Sequence, residues 1–160
     1  MRRSTSGAVG ALAAGLAAAS LVFAPTASAA VSPGTATATY DCGSWGGGTA
    51  TLTMTHSGTT GQVSITAPVT TPIAVGADTI SSTLVLDNTT GPDRTFTGKK
   101  NPAIPAGGTA KLGPLTATNV VAGDSLNSYF AGVALKLVIF GVTVNCDAVT
   151  SQSPGPFVIS

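Results

Sequence analysis

In Thr49-Ala50-Thr51-Leu52-Thr53-Met54-Thr55-His56, threonine alternates with small or aliphatic residues at a period of two. Successive side chains of a strand point to opposite faces, so Ala50, Leu52 and Met54 would share one side and the threonines the other. A helix would scatter the same residues around its circumference and leave no apolar stripe. Threonine, being β-branched, also favours extended backbone. The stretch predicts a half-buried antiparallel strand with its aliphatic face inward.

The same grammar extends in both directions. Thr35-Ala36-Thr37-Ala38-Thr39-Tyr40 alternates in the same way. Val63, Ile65 and Ala67 mark a third strand, Ile73 and Val75 a short fourth, and Ile80 to Leu86 a fifth. Ser57-Gly58, Gly61, Thr71-Pro72, Asn88-Thr89-Thr90-Gly91-Pro92 and Ala106-Gly107-Gly108 read as turns between them. The segment 91–114 is rich in Pro and Gly and is expected to be irregular, pinned by Phe96, Ile104 and Leu112. In the apolar stretch 131–146, Val133, Leu135, Leu137 and Ile139 share one parity and Val142, Val144 and Cys146 the other. The change of phase at Gly141 predicts a bulge or bend in one long strand that shifts face or crosses between sheets. Only residues 120–129 offer room for a helical turn. Short strands at this spacing predict an all-β fold, a sandwich of two antiparallel sheets.

The first residues read as an address. Arg2 and Arg3 precede an apolar run from Ala8 to Ala24, Pro25 breaks it, and Ala27-Ser28-Ala29 supplies a small-x-small cleavage site. Residues 1–29 are expected to be a signal peptide cut after Ala29, with Ala30 as the alternative, leaving 30–160 as a single domain. No membrane span is expected after cleavage, so the destination is extracellular, with association to the cell envelope left open. Cys42 and Cys146 are the only cysteines. In an oxidising compartment two thiols read as one structural disulfide, here tying the first strand region to the last.

Composition excludes several functions. The 160 residues carry seven Lys+Arg, six acids that are all Asp, and one His, for a net charge of +1. Nothing in that balance provides an electrostatic footprint for nucleic acid. With no Cys-x-x-Cys and one histidine, neither a metal site nor a cofactor is expected.

Several residues have the chemistry of a candidate site. Gly123-Asp124-Ser125-Leu126 spells the signature of the GDSL esterase and lipase family, in which the Ser is the nucleophile. It sits late in a β-rich chain and no His follows it, so Ser125 lacks the downstream base of that family. It is read as part of a polar turn. His56 is the one histidine through which imidazole acid–base chemistry could run, and it is read as a half-buried strand end. Asp87, Asn88 and Asp93 have calcium-type oxygens but match no loop spacing, and read as turn residues. Asn88-Thr89-Thr90 fits the glycosylation sequon. Lys99-Lys100 reads as edge protection. The leading binding residue is Trp45, in Cys42-Gly43-Ser44-Trp45-Gly46-Gly47-Gly48. It either stacks on a sugar ring or apolar partner, or folds back over the disulfide.

Tyr40-Asp41-Cys42, Pro72-Ile73-Ala74-Val75-Gly76 and Val142-Thr143-Val144-Asn145-Cys146, after a signal peptide, resemble small secreted actinobacterial proteins of unknown function. The resemblance implies an immunoglobulin-like β-sandwich and export. The enediyne-carrier apoproteins are similar secreted sandwiches that hold an apolar ligand, but usually carry two disulfides where this chain can form one. The leading expectation is a non-enzymatic binding or structural module whose partner is a cell-wall glycan or surface protein. The alternatives are a carrier of a small apolar ligand between the sheets and, last, a secreted esterase using Ser125 and His56.

Overall fold

The computed structural model describes residues 30–160; the signal-peptide expectation lies outside them. Eleven strands follow in order: β1 (Val31–Ser32), β2 (Thr35–Asp41), β3 (Gly47–Ser57), β4 (Thr60–Thr70), β5 (Ser81–Asn88), β6 (Arg94–Gly98), β7 (Thr109–Ala117), β8 (Ser125–Ser128), β9 (Val133–Ile139), β10 (Val142–Ala148) and β11 (Phe157–Ile159). A 3-10 turn, Gly43–Trp45, lies between β2 and β3. The all-β expectation holds. The segment expected to allow a helical turn carries β8 instead, and the helical turn sits at Trp45.

The alternation in 49–56 is realised as expected. Ala50, Leu52 and Met54 are buried while Thr49, Thr51, Thr53 and Thr55 are exposed. Opposite them Thr35, Thr37 and Thr39 pair with Thr53, Thr51 and Thr49, so β2 and β3 present matched threonines outward. Inside, Leu52, Met54, Val63, Leu84, Leu86, Phe96, Leu115, Leu135 and Leu137 are sealed from solvent. Each such aliphatic or aromatic side chain contributes about 1.5–3 kcal/mol relative to exposure. Phe96, Ile104 and Leu112 are all buried, and pin the Pro/Gly segment as anticipated. That segment is nonetheless less irregular than its composition suggests, because β6 and part of β7 run through it.

The picture of two separate sheets needs correction. The order β5-β6-β7-β4-β3-β2-β10-β9 returns to β5, closing eight strands into a barrel. Closure depends on β5, whose one edge serves two partners. Ser81–Leu84 pairs with β9 and Leu86–Asn88 pairs with β8, while the other edge pairs with β6. β8, β11 and β1 continue from that fork as a flap outside the ring. Two seams of the ring are thin. β6 meets β7 through Thr97↔Thr116 alone, and β2 meets β10 through Asp41↔Asp147 and Tyr40↔Ala148.

The disulfide joins Cys42 to Cys146 across 104 residues of sequence. These residues continue the register of the β2–β10 seam by one rung, so a covalent link stands where the ladder of hydrogen bonds runs out. Both sulfurs belong to buried residues.

The phase change at Gly141 is a chain reversal, not a bulge. Ile139 pairs with Val142, and Phe140 and Gly141 form the intervening two-residue turn with φ of 51° and 77°. Positive φ at both central positions is the arrangement that matches strand twist in a tight hairpin. The short fourth strand is reduced to one bridge, Val75↔Ile104, with Ile73 exposed.

Candidate functional site

The loop 42–48 is a built element, not a slack one. The Cys42 N–H donates to the Gly46 carbonyl at 2.8 Å and the Gly46 N–H to the Gly43 carbonyl at 3.1 Å, while the Asp41 carboxylate accepts from the Gly43 N–H at 2.9 Å. Gly46 and Gly48 have φ of 103° and 143°, which an L side chain seldom adopts. The glycines therefore set a fixed path, and the disulfide anchors its first residue.

That path places Trp45 half-buried, with part of its ring against the core. The remainder lines an open cleft of about 520 Å³ with Ser44, Thr70, Thr71, Pro72 and Gly107. The ring thus packs inward on one side and borders a cleft on the other. The opposite wall is fixed by hydrogen bonds. The Thr71 N–H donates to the Gly108 carbonyl at 3.0 Å and the Gly107 N–H to the Thr71 carbonyl at 2.7 Å. The Thr71 hydroxyl lies 3.3 Å from the Pro105 carbonyl it donates to. No Asp, Lys or Arg lines the cleft. An indole face, a proline ring and hydroxyls are the groups that hold a neutral ring bearing hydroxyls, by stacking and short hydrogen bonds. Thr71-Pro72 was legible in the sequence only as a turn, and Thr70 and Gly107 carried no signal that they would face Trp45.

The other sequence candidates have structural roles. Asp124 of the Gly-Asp-Ser-Leu motif is buried and takes a two-pronged ion pair from Arg94, Nε to Oδ2 at 2.8 Å and Nη2 to Oδ1 at 2.9 Å. The Asn88 Nδ2 donates to the same carboxylate at 2.9 Å and the Val121 N–H at 3.0 Å. Burial alone would push the Asp124 carboxyl up. Arg94, with the Val121 and Asn88 donors, outweighs it and holds the carboxyl below the usual range. The guanidinium is correspondingly pushed up by its bond to Asp124. Asn88 Oδ1 accepts from the Ser125 N–H at 3.1 Å and the Thr90 hydroxyl at 2.8 Å. The motif is thus the hub of a polar knot joining β5, β6 and β8. The Asn88 amide of the sequon is sealed inside that knot, 4% exposed, and turned away from any incoming sugar.

His56 is more buried than the half-buried strand end expected, at 6% exposure. Its Nε2 lies 3.0 Å from the Val120 carbonyl oxygen. A carbonyl only accepts, so this nitrogen carries the proton and fastens the segment before β8 to the end of β3. Lys100 makes a surface ion pair with Asp78 at 3.2 Å, and Lys99 is exposed. Asn88 is buried, with its Oδ1 taken by Ser125 and Thr90, while Asp93 is exposed. Among the described residues no helix is long and apolar enough to cross a membrane. Comparison with family models, curated proteins and solved structures finds no match to this chain.

Proposed function

We propose that this chain is an exported, non-enzymatic binding module that takes a neutral glycan of the cell envelope in the Trp45 cleft. The observation that carries the reading is the cleft that Trp45, on the anchored 42–48 loop, lines with Ser44, Thr70, Thr71, Pro72 and Gly107, with no charged side chain in the lining. Rigid presentation matters because a pre-shaped site loses less freedom on binding. The disulfide, the leader-like residues 2–29 and the resemblance of the Cys42 and Cys146 segments to small secreted immunoglobulin-like proteins support export. The carrier alternative needs interior space where Leu52, Leu84, Phe96, Leu115 and Leu137 are fully buried. The esterase alternative needs Ser125 and His56 to act together, whereas the His56 Nε2 is taken by the Val120 carbonyl and Ser125 is held in the Asn88 knot.

The test is retention of purified residues 30–160 on peptidoglycan, chitin and cellulose, beside Trp45→Ala. Retention on at least one polymer, lost in Trp45→Ala with unchanged circular dichroism, is the expected result. Absence of retention on all three, or retention indifferent to Trp45, overturns the reading.

A further inference from the structure

The barrel has two ends, and one of them carries an arc of exposed apolar side chains to either side of the Trp45 loop. The strand registers place at this end the close of β2 and start of β3, the close of β4, the start of β7, and the close of β9 with the start of β10. In the ring β10 is the neighbour of β2, so the β9–β10 hairpin and the Trp45 loop lie at the same end, and the 3-10 turn packs against β10. The β4 segment running into Pro72 and Ile73 stands on the far side of that loop. Phe140 is 60% exposed, Ile73 57% and Val142 46%. Read round the rim, Val142 and Phe140, then Trp45, then Pro72 and Ile73 form one succession.

Phe140 is the informative member. A tight hairpin turn with positive φ at both central positions is best served by Asn-Gly, and φ of 51° is a costly conformation for a bulky aromatic. The sequence keeps Phe there, nearly bare, where it contributes little to the core. Local strain of this kind motivates a search for function. The β9–β10 hairpin also runs on past the close of β2, since Val142–Cys146 pair with β9 and not with β2. Phe140 therefore projects past the rim on which the Trp45 loop sits.

We propose that Phe140 is a second stacking platform, so that the ligand is an extended chain of several sugar rings lying from the Pro72–Trp45 cleft over Val142 to Phe140. This rests on the glycan reading of the Trp45 cleft and deepens it. Cys146 is level with Cys42, so Val142 stands four residues, about 13 Å, farther along β10 and Phe140 beyond it, a span that a single sugar ring does not bridge. Phe140, Val142, Trp45, Pro72 and Ile73 carry no charge, which suits a neutral polymer.

The experiment is calorimetric titration with N-acetylglucosamine oligomers and with cello-oligosaccharides, each from one to six rings, against the wild type, Trp45→Ala and Phe140→Asn. Asn suits the turn, so Phe140→Asn should fold at least as stably as the wild type while binding the long oligomers about three- to tenfold more weakly, the worth of one aromatic contact. Binding to one or two rings should be unchanged in that variant and lost in Trp45→Ala. If affinity does not grow with length, or Phe140→Asn binds the six-ring oligomer as the wild type does, the second platform is wrong while the Trp45 site stands. If the wild type binds neither series, both readings fall. Self-association that Phe140→Asn abolishes, without any length dependence of binding, would instead assign the arc to a contact between copies and overturn the proposal.

Discussion

Removing the Asp124 carboxylate gives the sharpest check on how the Gly-Asp-Ser-Leu motif is used. The carboxylate receives two Arg94 bonds of 2.8 and 2.9 Å and further bonds from Asn88 and Val121, inside a pocket where Arg94 and Asp124 are 7% and 4% exposed. In Asp124→Ala the guanidinium stays buried without its partner, which typically costs about 3–5 kcal/mol. At a urea slope of about 2 kcal/mol/M, that lowers the unfolding midpoint by roughly 2 M, a large share of the stability of an ordinary domain. The matching double change Arg94→Met/Asp124→Leu removes both charges together, and should recover most of the loss because an apolar pair of similar volume needs no partner. Acid provides an independent arm. The carboxyl is held below its unfolded value of about 3.9, so the pair's contribution is complete above that value and disappears as pH falls through the lower folded value. The wild type should therefore lose stability below about pH 4 more steeply than the double variant. Urea melts of the three proteins between neutral and acid pH decide the matter. An Asp124→Ala midpoint within about 0.3 M of the wild type, or a double variant no better than the single, would refute the argument that this motif is a structural knot.

Three further outcomes follow from the geometry. Replacing both cysteines by Ser reopens a loop of 104 residues and should cost up to about 4.7 kcal/mol on the chain-entropy account, read as a fall in thermal midpoint that reducing agent reproduces in the wild type. Burial pushes the Tyr40 phenol up to about 12, so its contribution is intact below the unfolded value near 10 and is lost as pH rises towards 12; ultraviolet titration against Tyr40→Phe should show its ionisation delayed to that region. Gly113→Ala should destabilise by at least about 2 kcal/mol in urea melts, because φ is 104° and the new Cβ would lie 2.6 Å from the Val63 carbonyl oxygen, backbone that cannot swing aside.

How far the residues alone announce this molecule depends on the range of the forces involved. Strand alternation is local, so β2, β3, β4 and β5 are readable from parity, and Cys42 with Cys146 could only pair with each other. Closure of the ring is not local. It turns on β5 dividing one edge between β9 and β8, a choice between partners about 55 and 40 residues downstream that no window of sequence contains. The hairpin at Phe140 was hidden for another reason: its turn lacks the Asn that usually announces such a reversal, so the phase change resembled a bulge. The same holds at the site. Trp45 stands out as a lone aromatic among glycines, whereas Thr70, Pro72 and Gly107 become relevant only when three loops converge. Asp124 was the opposite case, a conspicuous motif whose meaning changed once Arg94 and Asn88, some 30 and 36 positions upstream, were found on its oxygens.

The flap of β8, β11 and β1 has a bearing on how the molecule would be displayed. Ser160 donates from its backbone to the Ala30 carbonyl at 3.0 Å, so the two ends of the described chain lie side by side. The register carries them towards the end of the barrel where β5 closes with Asn88, away from the loop of Trp45 and the tip of Phe140. The fold therefore has a polarity. A tether, a fusion partner or an immobilising tag joined next to Ala30 or Ser160 would sit at the base and leave the aromatic rim facing outward, so both attachment geometries should give the same binding behaviour.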